Sequence, residues 1–218
     1  MCFSATASFL TAAATGAVGV VTIMRVEKWY EAPLAATPLI FSIQQATEGL
    51  LWLSIGGTKL PLSEAVLANV FAMFALALWP LYSPLAVSLV EGEFRRRTFM
   101  VLLFAVGITL AIYGLTGIAE SSYTACVVGN SISYSNKHPY SNLELAAYVA
   151  CTCLPPLLSS HRSLWVFGLL VVTGFIVSTV FYVATQFSVW CYFAAAGSVA
   201  IYMYFVREPH PKTHSVSG

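Results

Sequence analysis

The sequence predicts an all-α integral membrane protein, a bundle of seven transmembrane helices, and three observations carry that expectation. Charged residues are 9% of the 218, against about a quarter in a soluble domain. Hydrophobic residues reach 58%, the mean hydropathy is +0.79 and there is no Asp. Apolar runs recur along the whole chain at lengths suited to a bilayer. With so few charges a soluble chain of this size could not clothe its surface. The net charge of +1, with one basic cluster at Arg95, Arg96 and Arg97, argues against a nucleic-acid partner. The lipid bilayer is the expected one.

A helix needs roughly 20 mostly apolar residues to cross the hydrocarbon core. Segments at about 5–24, 34–54, 64–91, 98–119, 143–160, 164–185 and 187–206 qualify, leaving a tail at 207–218. The first has no positive charge ahead of its apolar run and its basic residues follow it, so it is expected to be a retained span rather than a signal peptide. The third contains Pro80 and Pro84 and should kink or tilt. The fifth should bend at Pro155 and Pro156. The sixth and seventh, separated by little more than Gln186, should form an antiparallel pair.

Direction follows from Lys and Arg. Arg25, Lys28, Arg95, Arg96, Arg97, Arg162, Arg207 and Lys212 fall on one side, whereas Lys59 and Lys137 fall on the other. The N-terminus is expected outside and the tail in the cytoplasm, which places the chain in the cytoplasmic (inner or plasma) membrane. The fourth loop, roughly 120–142, contains β-prone runs at 123–128 and 131–135 around Gly129-Asn130. These read either as a hairpin lying over the outer mouth as a lid or as an irregular surface loop.

Within the spans, small and hydroxyl residues mark packing faces. Ser4, Ser8, Thr11, Thr15 and Thr22 form one stripe in the first span; Ser188, Cys191, Ala195, Ser198 and Tyr202 form another in the last. The second span differs, because Gln44, Gln45 and Glu48 cluster on one face with Trp52 a turn further on. Glu48 is the only acidic residue well inside a span. A buried carboxylate must meet a partner, meet a cavity or hold its proton. It is therefore a binding or proton-handling group, or else a hydrogen-bonded knot between helices. It lies six residues, roughly 9 Å, from the outer end of its span. Trp190 and Cys191, Cys2 and Ser4, and Asn69 should approach the same level, so the ligand-binding set expected is Glu48, Gln44, Gln45, Trp52, Trp190, Cys191, Cys2, Ser4 and Asn69.

Several chemistries lack their residues. None of His138, His161, His210 and His214 lies in a span, which removes a haem held by two histidines and intramembrane His clusters for a metal. No Lys lies in a span to hold retinal. There is neither a Walker loop nor a Gly-x-Ser-x-Gly elbow. Cys151 and Cys153 point about 200° apart on a helix and cannot chelate one ion. Cys2 and Cys126 share the outer side, where a disulfide is chemically allowed. A metal site from Cys2, Glu48, Cys191 and His138 would take its ligands from separate segments, and no cofactor is expected.

Met1-Cys2-Phe3-Ser4-Ala5, Phe41-Ser42-Ile43-Gln44-Gln45 leading to Glu48-Gly49 and Trp52-Leu53, Trp79-Pro80, and Ser188-Val189-Trp190-Cys191 together resemble one uncharacterised family of bacterial multi-pass membrane proteins, labelled a domain of unknown function. The likeness runs along nearly the whole chain. It implies a fold and a membrane location but no reaction, and it makes Cys2, Ser4, Gln45, Glu48, Trp190 and Cys191 motif residues. Members tend to carry a His near the position of Asn130 or Ser131; this chain does not, which counts further against a metal. The leading expectation is binding or transport of a small molecule or ion through an outward-facing pocket centred on Glu48. Alternatives are an intramembrane enzyme using Cys2 or Cys191 with Glu48 as base or metal ligand, and an accessory subunit in which the polar cluster only locks helices.

Overall fold

A computed structural model describes residues 4–137 and 140–207. Seven helical rods are arranged as α1 (Ala5–Ile23), α2 (Ala32–Ile55), α3 (Glu64–Val90), α4 (Phe94–Glu120), α5 (Asn142–Leu158), α6 (Arg162–Phe181) and α7 (Val183–Arg207). Between α4 and α5 lies an antiparallel hairpin of β1 (Thr124–Val128) and β2 (Ser131–Ser135). Five rods, α1, α3, α4, α6 and α7, are long and apolar enough to cross a membrane. The 24 residues of α2 have the length, but the rod carries the polar cluster. At 17 residues α5 is the shortest, about 26 Å at the helical rise.

The exposed faces are the apolar ones. On α4, Leu102, Ile112 and Leu115 are exposed, and on α6 so are Leu170, Ile176, Val180 and Phe181. Small and polar residues are buried alongside the apolar core: Ser8, Thr15, Gly19 and Thr22 on α1, and Ser188, Ala195 and Ser198 on α7 beside Trp190, Ile201 and Phe205. The α1 stripe packs on α2, where Ser42 Oγ donates to the Ala12 carbonyl at 2.7 Å. Thr15 and Thr22 turn their hydroxyls back to their own helix, so this stripe serves close packing.

Proline shapes α3. A π-helical turn at Met73–Leu78 precedes Pro80, which has no N–H to offer the preceding turn. The carbonyls of Ala75 and Leu76 are served from outside the rod, by the hydroxyls of Tyr148 and Tyr140. The same device operates in α5, which stays helical through Pro155 and Pro156. There Pro156 cannot bond the Thr152 carbonyl, and Ser83 Oγ donates to it at 3.0 Å. Gly107 lets α4 approach this broken stretch, since a Cβ there would collide with the Pro80 carbonyl.

The rods share two distinct ends. At one, which we term the arginine end, Glu91 gathers Ser159 and Ser160, the Arg96 guanidinium donates to the Leu158 carbonyl, and Arg25 lies over the Tyr202 ring. The hairpin closes the other. Its two-residue loop has φ of +61° at Gly129 and no positive φ at Asn130, the pattern of a type II′ turn with Gly first. It is no loose cover: Ile132 is fully buried against Leu51, Leu67 and Ala68. Asn69 ties its entry to α3, accepting from the Tyr123 N–H at 2.7 Å and donating to Ser122 Oγ.

Candidate functional site

On α2 the spacing of 44, 45 and 48 brings both amides and the carboxyl to the buried side, and all three are fully enclosed. Glu48 Oε1 accepts from Ser188 Oγ of α7 at 2.6 Å and from the Tyr134 hydroxyl of β2 at 3.3 Å. Its Oε2 has no hydrogen-bond partner. Gln44 Oε1 accepts from the Trp79 indole at 2.7 Å, and that indole stacks on Phe41. Gln44 Nε2, both polar atoms of Gln45 and the Trp52 indole nitrogen are buried without partners. Five unpartnered polar atoms thus sit on one stretch of α2, a mixture of donors and acceptors around a carboxyl.

That is unusual, because leaving a buried polar atom unpaired costs about 1–3 kcal/mol. The other enclosed acids are served differently. Glu31 accepts from the backbone N–H groups of Glu27 and Lys28, and Glu91 accepts from four donors at the arginine end. Both knit loops together. Glu48 meets hydroxyl groups on one oxygen, with the Gln45 side chain beside the carboxyl.

Two cavities flank this cluster. A vestibule of about 310 Å³ lies at the hairpin end, lined by Phe71, Tyr123, Tyr134, Tyr140, Gln186 and Phe187 among others, with no Lys or Arg in its wall. A smaller chamber of about 50 Å³ lies deeper, lined by Phe41, Trp79, Tyr148, Trp190 and Cys191 among others. Tyr134 belongs to the vestibule wall and to Glu48. Cys191 belongs to the chamber wall and lies beside the Gln44 amide, within the electrostatic reach of Glu48. The Glu48 cluster thus borders the vestibule through Tyr134 and the chamber through Trp79 and Cys191. The expected pocket had Glu48 in its wall; instead Tyr134, stacked flat on Phe71 with ring centroids 4.3 Å apart, comes between the carboxyl and the vestibule. The hairpin inserts its buried face, Ile132 and Tyr134, into the end of the bundle, and that insertion seals the carboxyl.

The vestibule's phenols at the bundle edge are neutral. Burial, with Tyr113 nearby, pushes Tyr123 up to about 12. Burial raises Tyr140 further, helped by Tyr123, Tyr113 and the negative charge of Glu144. The cavity thus presents π faces, hydroxyl groups and amides.

The remaining sequence candidates spread out. Trp190 is in the chamber wall, its indole donating to the Val171 carbonyl at 2.9 Å. Trp52 packs at the hairpin end against the Leu51 and Leu67 group. Asn69 serves the hairpin, and Ser4 is an exposed N-cap, accepting from the Ala7 N–H at 3.2 Å. Cys2 and His138 lie outside the described residues. Among the described residues no three His, Cys, Asp or Glu side chains come together to hold a metal. Three contributors escaped sequence reasoning: Tyr134, Ser188 as a donor, and Trp79. For Tyr134 there was a signal, the alternation that puts it on the same strand face as Ile132.

No curated protein and no solved structure matches the chain. A family model does, over residues 1–216, and it carries the description "Family of unknown function (DUF6629)". The chain belongs to that family, as its opening and Trp-Cys motifs implied.

Proposed function

We propose that this is a seven-span protein of the cytoplasmic membrane, N-terminus outside and residues 207–218 in the cytoplasm, which binds and moves a small cation or cationic solute. The solute enters the vestibule, is held by its aromatic faces, and exchanges onto Glu48 when Tyr134 swings aside. The observation that carries this reading is the run of five unpartnered polar atoms around a buried carboxyl, one ring away from an aromatic vestibule. A cation over Tyr and Phe faces is attracted by about 0.5–2 kcal/mol per contact, and a carboxylate supplies the countercharge. The vestibule's size is at the lower limit of small-molecule pockets. Topology is supported by the alternation of the rods and by eight basic residues against two on the opposite side.

The test is binding of sodium, potassium and tetramethylammonium ions to the purified full-length protein, followed by tryptophan fluorescence. Saturable binding that weakens tenfold or more in Glu48→Gln, with the fold retained, is the expected result. The organic ion should outcompete the metal ions if the aromatic walls select. Equal binding by Glu48→Gln would overturn the reading and leave the cluster as a lock between helices.

A further inference from the structure

A second feature lies at the arginine end and is independent of Glu48. A crevice of about 510 Å³ opens between the start of α6 and the end of α7, lined by Arg162, Ser163, Val166, Ala200, Met203 and Arg207. Both guanidinium groups are exposed, and among the described residues neither is paired with a carboxylate. Three carboxylates of that end are engaged elsewhere, Glu93 with Arg96 and Glu31 and Glu91 with loop hydrogen-bond donors, and Glu27 is exposed in the loop between α1 and α2. The lining is graded. Val166 is one turn below Arg162, and Met203 and Ala200 are one and two turns below Arg207, so each charged lip continues into an apolar wall along the same helix face. Positive charge at the rim over an apolar slot directed along the helices matches an amphiphile whose head is anionic and whose tail follows the bundle.

We infer that this crevice seats one anionic phospholipid, its phosphate between Arg162 and Arg207 and an acyl chain along Val166, Ala200 and Met203. A free phosphate would use the lip and ignore the slot; a neutral lipid would use the slot and ignore the lip. The inference needs only the membrane setting, so it stands or falls apart from the cation site.

Native mass spectrometry of the full chain in detergent tests it, with dioleoylphosphatidylglycerol and dioleoylphosphatidylcholine as probes. One phosphatidylglycerol should be retained per chain, in preference to phosphatidylcholine. Arg162→Gln with Arg207→Gln should weaken retention roughly thirtyfold, at about 1 kcal/mol per basic residue. Ala200→Trp should weaken it comparably by filling the slot without touching a charge. Arg95→Gln with Arg97→Gln, which alters the same end away from the crevice, should leave it unchanged. Equal retention of the two lipids, equal loss in the Arg95 and Arg97 variant, or displacement by inorganic phosphate at concentrations that spare the lipid in the slot variant would each overturn the assignment. Thermal unfolding of each variant separates loss of the lipid from loss of the fold.

Discussion

Tyr134 donates its hydroxyl to the Glu48 carboxylate from a strand 86 positions further along the chain, while its ring lies flat on Phe71. One side chain thus joins the hairpin to the acid of α2 and closes the vestibule floor. The opposing donor, Ser188 Oγ, is closer at 2.6 Å. Tyr134→Phe keeps the ring stack and removes the longer bond, so about 1 kcal/mol of stability should be lost. Ser188→Ala strips the shorter bond and leaves a fully buried acceptor short of a donor, which should cost about 2 kcal/mol. Chemical denaturation of both variants in detergent ranks them. The opposite order would mean that the hairpin, not α7, holds the carboxyl.

The hairpin depends on Gly129, whose φ of +61° is disfavoured for residues with a Cβ. Gly129→Val should destabilise the turn by about 1–2 kcal/mol and loosen β1 and β2 with it. Because Asn69 anchors only the entry to β1, amide exchange should rise across 124–135 while α4 keeps its protection. Uniform loss of protection along the chain would show that the hairpin and bundle unfold as one unit.

How far the sequence could be read followed from how local each cause is. Apolar runs locate helices because lipid contact acts residue by residue, so the seven rods end within four residues of the expected segments. Glu48 stood out because an acid in an apolar run is conspicuous by itself. Its partners did not: Tyr134 and Ser188 come from 86 and 140 positions away, and a Ser on a helix looks the same whether it packs or donates. Depth along a span carries no azimuth, and Asn69 faces the hairpin entry. The π turn of α3 also lay beyond reach. Pro80 announces a broken hydrogen bond, yet the Tyr140 and Tyr148 hydroxyl groups that repair it arrive through packing.

Gly107 should be intolerant of any side chain. An added Cβ meets the backbone of Pro80 and Leu81 rather than a flexible side chain, so α3 and α4 must separate. Gly107→Ala is expected to cost about 1–3 kcal/mol and to disturb the π turn. Gly92→Ala is the matched control, since nothing lies within 4 Å of a Cβ there. Thermal unfolding should separate the two variants; equal melting temperatures would show that the bundle absorbs the extra methyl.

The acid limb of stability should be set in part by Glu91. Its side chain is buried, which opposes its charge, but hydrogen bonds from the Ser160 N–H, the Ser160 hydroxyl, the Glu93 N–H and the Ser159 hydroxyl outweigh burial and hold its carboxyl below the ordinary 4.5. The folded state therefore prefers the charged form more strongly than the unfolded chain does. This contribution is complete above 4.5 and is lost as the pH falls through the lower, folded value. Glu91→Gln keeps the shape and removes the charge, turning an acceptor oxygen into an amide that faces N–H and O–H donors. The variant should be less stable than the parent at neutral pH, and the gap between their melting temperatures should close as the pH drops below 4.5. A gap that stays constant across that range would mean that the loop junction is held by shape alone and that charge on Glu91 contributes nothing to it.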